Sequence, residues 1–140
     1  MSEPLPEVVF HIYPTDCDML GHLNHASMLG FLERARWALF DHRMTAHELA
    51  RQPVFPVVRH VDIGYRAQTL PGEDLAVRSG ILKVGNTSYT IRQEARNAAS
   101  GQLVAEANLV IVAIDRAGRP VPVPDAWKTD MPTWPPVKAE

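Results

Sequence analysis

The sequence has 140 residues, 46% of them hydrophobic and 21% charged, with a net charge of −2 and a pI near 6.3. That is the length and composition of one soluble domain, and it has no basic excess with which to hold nucleic acid. No apolar run reaches the roughly 18 residues of a membrane span. The single cysteine, Cys17, excludes an internal disulfide framework and suits a reducing compartment. The opening MSEPLPEVVF lacks the pattern of a signal peptide, so the cytoplasm is the expected location.

Glu7 to Tyr13 is short, apolar and partly β-branched, and stops at Pro14, which predicts a first strand. A polar loop follows, with Asp16, Asp18, His22, Asn24 and His25 close together. Met28, Leu32, Ala35 and Leu39 then recur at helical spacing, and Leu29 and Phe31 widen the stripe. A helix from about Ala26 to about Asp41 is expected, with Asn24 as its N-cap. His42 to Gln52 reads as a short second helix, capped by Thr45 and ended by Pro53.

From Val54 the period becomes two. Val57 to Gln68 reads as a long strand bent at Gly64, and Leu70 to Glu73 as a turn. Leu75, Val77 and Ile81 mark the next strand and Gly85-Asn86 a hairpin turn. Tyr89, Ile91 and Ala95 mark another, and Ala98 to Gly101 turns again. Leu103 to Ile114 is apolar on both faces and belongs in mid-sheet. These last three strands form an antiparallel meander. The final 21 residues hold half of the chain's 12 prolines, which argues against a regular helix there. Trp127 and Trp134 imply that this tail packs on the fold. One long helix against an antiparallel sheet of about five strands is an α+β layout. We expect a single domain over residues 1–140, with a core at about 7–115 and a Pro-rich tail at about 116–140.

The polar loop carries the chemistry. Asp16 and Asp18 are candidates for acid/base work, and the alternative for either is turn formation. A loop of carboxylates and imidazoles leading into a helix start also places acids beside free N–H groups that favour developing negative charge. Asp16, Asp18, His22 and His25 form a possible metal set, disfavoured because the spacing falls outside the helix. An aspartyl nucleophile of the phosphatase kind needs a parallel sheet that the pattern lacks. Cys17, between two acids, is a poor thiolate. Trp37 and Phe40 read as core or interface residues. Residues 1–33 contain five acids and neither Lys nor Arg, leaving 14 cations against 11 acids in the remainder. Cations for a phosphate-bearing ligand must therefore come from the later chain or from a second subunit.

The run Asp16-Cys-Asp18-Met-Leu-Gly21-His22-Leu-Asn24-His-Ala26, followed by Leu32-Glu33-Arg-Ala35-Arg36, resembles the hotdog-fold thioesterases. It is most similar to the 4-hydroxybenzoyl-CoA thioesterase and short acyl-CoA thioesterase branch. The resemblance covers about residues 7–115. It implies a sheet wrapped around the long helix and paired edge to edge with a second subunit, as a homodimer or dimer of dimers. It implies a small-molecule acyl-CoA substrate, with no cofactor beyond that substrate and no metal. Asp18 matches the family's catalytic acid, a general base or nucleophile, and the oxyanion donor falls at the helix start near His25. His22 and Asn24 match polar positions of the related acyl carrier protein thioesterases. Those carry Asn where this chain has Leu20, and a Glu that aligns with Gln68. Coenzyme A is expected to meet Arg59, Arg66, Lys83 and Arg92, with the turn Gly85, Asn86, Thr87 and Ser88 beside them. The other class of function is a hotdog module that binds acyl-CoA without cleaving it, and a hotdog hydratase is a third.

Overall fold

The computed structural model describes residues 5–40, 45–130 and 132–135. The elements run β1 (Glu7–His11), α1 (His25–Phe40), α2 (Ala46–Ala50), β2 (Val54–Tyr65), β3 (Asp74–Val84), β4 (Ser88–Asn97), β5 (Leu103–Asp115) and α3 (Asp125–Asp130). The five strands make one sheet in the order β1-β3-β4-β5-β2, with every pairing antiparallel. The expected meander is β3-β4-β5, and β5 lies inside the sheet between β4 and β2.

The helix crosses the face of the sheet over β1 and β3. Met28, Phe31, Leu32 and Ala35 are buried there against Ile12, Leu75, Val77 and Ile91, and Phe31 meets Phe10 at a centroid distance of 5.1 Å. Burying each of the larger side chains contributes about 1.5–3 kcal/mol, which is what holds a helix of this length in place. The stripe is narrower than expected, since Leu29 remains 39% exposed. The helix makes its main contacts with β1 and β3, away from β2. Trp37 is also exposed and donates to Glu33 Oε1, so it is no core residue of this chain. The side chains of Leu39 and Phe40 lie outside those described. Part of the expected second helix falls in residues 41–44, also outside the described residues. Its remainder is α2, where Thr45 and Glu48 form the capping box.

Three boundaries differ from the sequence reading. β2 begins at Val54, and its irregularity is a bulge at Arg59, where the register slips between Val58 and His60. At Gly64 the register with β5 runs on without a slip. The glycine makes room for the Arg66 guanidinium, whose Nη2 lies 3.0 Å from where a Cβ would stand. The β3–β4 link is Gly85–Thr87, one residue longer than a two-residue hairpin, closed by Gly85 N–H donating to Ser88 O at 2.7 Å.

The tail is ordered by specific contacts, and it does contain helix. α3 is one short stretch free of proline, with Pro124 before it and Pro132 after it, so the ring restrictions fall outside its hydrogen-bonded turns. Trp127 packs edge-on against Tyr89 at 6.2 Å. Thr133 then adds a parallel bridge to Ile81 on β3, and Trp134 lies on Arg92 at 5.5 Å. Gly80 permits that approach, because a Cβ there would stand 3.1 Å from Trp134 N and 3.2 Å from Pro132 O.

Candidate active site

The polar loop is a small hairpin. Asn24 N–H donates to Asp16 O at 3.0 Å, Cys17 bridges Leu23, and Asp18 N–H donates to His22 O at 2.9 Å. Gly21 closes the turn with φ +80°, a value that costs an L side chain strain. Alternation along such a hairpin puts Asp16, Asp18, His22 and Asn24 on one face and Cys17 and Leu23 on the other. Cys17 and Leu23 pack against the core. Burial raises the Cys17 thiol pKa, and the carboxylates of Asp16 and Asp18 raise it further, so this cysteine is a poor nucleophile.

The carboxylates also order the loop. Asp16 Oδ2 accepts from Tyr13 N–H at 2.8 Å. Asp18 Oδ1 accepts from Leu20 N–H at 2.9 Å, an Asx-turn across the hairpin tip. Asp18 and Asp16 both keep contact with solvent. Asp18 therefore forms the turn through one oxygen, and its other oxygen accepts no hydrogen bond among the described residues.

The hairpin leads directly into α1. Asn24 is the N-cap, with Oδ1 accepting from Ala26 N–H at 2.8 Å and its carbonyl accepting from Met28 N–H at 3.0 Å. Among the described residues, nothing accepts from the His25 N–H, which leaves a backbone donor at the positive end of a sixteen-residue helix. Tyr65, at the end of β2, donates its hydroxyl to His25 O at 2.8 Å, and the His25 and Tyr65 rings meet edge-on at 6.3 Å. Burial raises the Tyr65 pKa, keeping it a donor at neutral pH. Leu23 N–H donates to Thr69 O at 2.8 Å, and the Thr69 hydroxyl is buried without a partner among the described residues. Tyr65 and Thr69 were not legible as site residues, because each reads in sequence as an ordinary strand or turn position.

The expected coenzyme A residues do not gather beside Asp18 within one chain. Arg66 pairs with Glu106 at 2.7 Å, and Arg92 contacts Glu94 and Glu106 at 3.2 and 3.4 Å. Arg66, Arg92 and Glu106, together with Asp62 and Asn108, line a cleft of about 310 Å³. Its outward side chains alternate with buried ones along β4 and β5, so it opens on the sheet face away from α1. Arg59 sits in the β2 bulge and Lys83 beside an irregularity in β3, both exposed. Gly85, Asn86, Thr87 and Ser88 lie at the opposite end of the sheet from His25. Tyr65 pairs with Ala105 and Ala105 with Ala95, whereas Ser88 begins β4 seven residues earlier, about 23 Å along the strand. Among the described residues, no three His, Cys, Asp or Glu side chains converge as a metal site, and no helix is long and apolar enough to cross a membrane.

Comparison with known proteins agrees with this architecture. The chain is 32% identical over 103 residues to the long-chain acyl-CoA thioesterase FadM of Escherichia coli, covering 70% of this chain and 74% of that protein. It is 30% identical over 105 residues to the acyl-CoA thioester hydrolase YbgC of Escherichia coli, covering 74% and 78%. The crystal structure of a thioesterase from Thermus thermophilus, complexed with coenzyme A and zinc, superposes with a TM-score of 0.75 at 26% identity, over 89% of this chain and 90% of that one. The family model of the thioesterase-like superfamily matches residues 12–131. A five-stranded antiparallel sheet laid against one long helix, an acid-bearing hairpin that feeds the helix start, and these matches lead to one assignment: the chain belongs to the thioesterase-like superfamily, as a hotdog-fold thioester hydrolase.

Proposed function

We propose that the protein hydrolyses an acyl-CoA to the free acid and coenzyme A, with Asp18 as general base or nucleophile and the His25 N–H as oxyanion donor. The observation that carries this reading is the hairpin, whose rungs at Asp16–Asn24 and Asp18–His22 tie the Asp18 backbone to the start of α1. A thioester carbonyl is already electrophilic, so it needs an activated oxygen nucleophile and a donor to the developing oxyanion. Asp18 supplies the first. The unpaired N–H at the helix start supplies the second, and Tyr65 and Asn24 steady that turn from either side. The named activities of FadM and YbgC support an acyl-CoA substrate, and the coenzyme A bound to the Thermus thioesterase supports the same carrier.

The active unit on this reading is a homodimer. β2 is an edge strand with Val57, Val58 and Val61 exposed along it, and an uncovered apolar edge calls for pairing. Antiparallel pairing of two β2 edges about a two-fold axis normal to the sheet brings the far end of one sheet beside the α1 start of the other. Lys83 and the Gly85–Ser88 turn of a second copy then approach the Asp18 hairpin, whose own chain offers no cation before Arg34. The test is to incubate the protein with a panel of acyl-CoAs while following free thiol, and to measure its mass by sedimentation. Thiol release by a dimer or dimer of dimers is expected. Binding of acyl-CoA with no thiol release would replace hydrolysis with the binding-module reading, and an active monomer would remove the shared site.

A further inference from the structure

Alternation gives the inner face of the sheet two apolar rows, Leu75, Val77 and Ile81 on β3 and Tyr89, Ile91 and Ala95 on β4, all of them buried. One position in each row breaks the pattern. Ser79 and Gln93 are 1% and 0% exposed, and they pair directly across the two strands. Two polar side chains facing each other in a dry core are a departure that hydrophobic patterning alone would not select. Both are closed to solvent, and what they touch is the helix.

Gln93 Nε2 donates to Leu32 O and to Ser79 Oγ, each at 2.9 Å, and its Oε1 accepts from Arg36 Nη1 at 3.0 Å. Both N–H groups of the amide are thereby used. Leu32 O stands inside α1, where the N–H four residues on is its regular partner, so the helix itself does not need the Gln93 bond. An apolar pair at 79 and 93 would fill the same space with no polar group to desolvate. What the network adds is direction. Met28, Phe31, Leu32 and Ala35 press α1 onto the sheet through contacts that carry no preferred orientation. Among the described residues, hydrogen bonds tie α1 to the sheet at two places. One is the Tyr65 hydroxyl on His25 O, and the other is Gln93 on Leu32 O with Arg36 beside it. One tie leaves a pivot, and the second sets the angle of the helix.

Resting on the acyl-CoA reading above, we infer that Gln93 is a positioning residue for the hydrolysis: its bond to Leu32 O fixes the tilt of α1 and so the aim of the His25 N–H. The lever between them is seven residues of helix, about 10 Å. A tilt of about 5° moves one end of that lever against the other by about 1 Å, and a misplacement of that size at reacting groups costs up to about 10²-fold in rate. Ser79 orients the amide for this task. Gln93 touches neither substrate nor reacting atoms, so its effect reaches the chemistry only through the helix.

The test is a double-mutant cycle with Tyr65→Phe, read as kcat by thiol release at a temperature well below each Tm. Gln93 lies two strands over and two residues along from Tyr65, about 12 Å away, a separation at which independent effects multiply. Gln93→Met should lower kcat about tenfold with KM changed less. The double variant should lose less than the product of the two single losses, because both act on one helix. Gly80→Ala is the control for stability, since it crowds Trp134 N and Pro132 O on the other face of the sheet, and it should keep its kcat. Ser79→Ala, a smaller change for the fold, should lower kcat about threefold and couple to Tyr65→Phe in the same sense. Wild-type kcat in Gln93→Met, or in Ser79→Ala where Gln93→Met does not fold, overturns the inference. So do losses that multiply, and so does an equal loss of kcat in Gly80→Ala. If the wild type cleaves no acyl-CoA, the hydrolase reading fails by itself. Hydrogen exchange at the Ala26 and Met28 amides, both bonded to Asn24, then decides the Gln93 question. Faster exchange in Gln93→Met than in Gly80→Ala upholds it, and equal exchange overturns it.

Discussion

On the proposed mechanism, replacing Asp18 by Asn separates its turn-forming contact from its chemistry. The side chain accepts from Leu20 N–H at 2.9 Å, and its backbone N–H makes the rung to His22 O. Asn keeps an Oδ1 acceptor and leaves the rung untouched, so the loss is only the charge-assisted part of one exposed hydrogen bond, about 1 kcal/mol or less. For a chain of this size that lowers Tm by about 2–4 °C. The chemical loss is larger. Removing a positioned base costs about 10²–10⁴ in rate, which is roughly 3–5 kcal/mol of barrier. Asp16→Asn is the control. Asp16 Oδ2 accepts from Tyr13 N–H at the start of the loop, so its cost should appear mainly in Tm, with turnover reduced less than about tenfold. The assay is kcat and KM by thiol release, coenzyme A affinity by calorimetry, and thermal unfolding, for both variants. A folded Asp16→Asn protein that has lost turnover while Asp18→Asn remains active would show that the roles are reversed. Full activity in both would move the chemistry out of this hairpin.

Asn24→Ala removes the cap on Ala26 N–H; it should cost about 0.5–2 kcal/mol of stability and lower kcat with it, because the same turn presents the His25 N–H. Gly80→Ala would set a Cβ 3.1 Å from Trp134 N and 3.2 Å from Pro132 O, and the displaced tail should lower stability by about 1–3 kcal/mol in denaturant titration. Burial pushes the Tyr89 phenol from its ordinary 10.0 up to about 12. The folded state therefore holds a proton that the unfolded chain releases first, so stability is intact below pH 10 and declines as pH rises towards 12. Thermal unfolding across that range should show the decline in the wild type and a smaller one in Tyr89→Phe.

The helix, the meander and the acid-bearing polar loop could be read from the sequence because each rests on local pattern, whereas the folding of that loop into a hairpin was not read. Met28, Leu32 and Ala35 keep helical spacing and are buried, and Asn24 caps because its side chain needs only its own next turn. What could not be read depends on residues far apart in the chain. The Tyr65–His25 bond spans 40 residues and the Gln93–Leu32 bond 61, and nothing local marks either partner. The bulge at Arg59 follows from register with β5, whereas Gly64, the residue that looked like a bend, serves the Arg66 side chain. The tail shows the converse error. Prolines at both ends suggested an absence of helix, yet the stretch between them is free of proline and is anchored by Trp127.

If the His25 N–H is the oxyanion donor, as proposed, the start of α1 carries a conflict between stability and chemistry that its neighbours resolve. A helix start is most stable when each of its first N–H groups is paired, but an oxyanion donor must be left open until substrate arrives. Asn24 takes Ala26 N–H and leaves His25 N–H, one residue earlier, unpaired among the described residues. An open N–H on a loose turn would point in many directions and stabilise little. Here the turn is pinned on its carbonyl side by Tyr65 and on its chain side by the Asp16–Asn24 rung. Both contacts act on the peptide units next to the open donor without occupying it. Tyr65→Phe is the sharpest probe of that arrangement. It removes one hydrogen bond worth about 0.5–1.5 kcal/mol, and if the turn is held for catalysis the loss should appear in kcat more than in KM or Tm. A variant that loses stability by that amount with kcat unchanged would mean that Tyr65 serves only the fold.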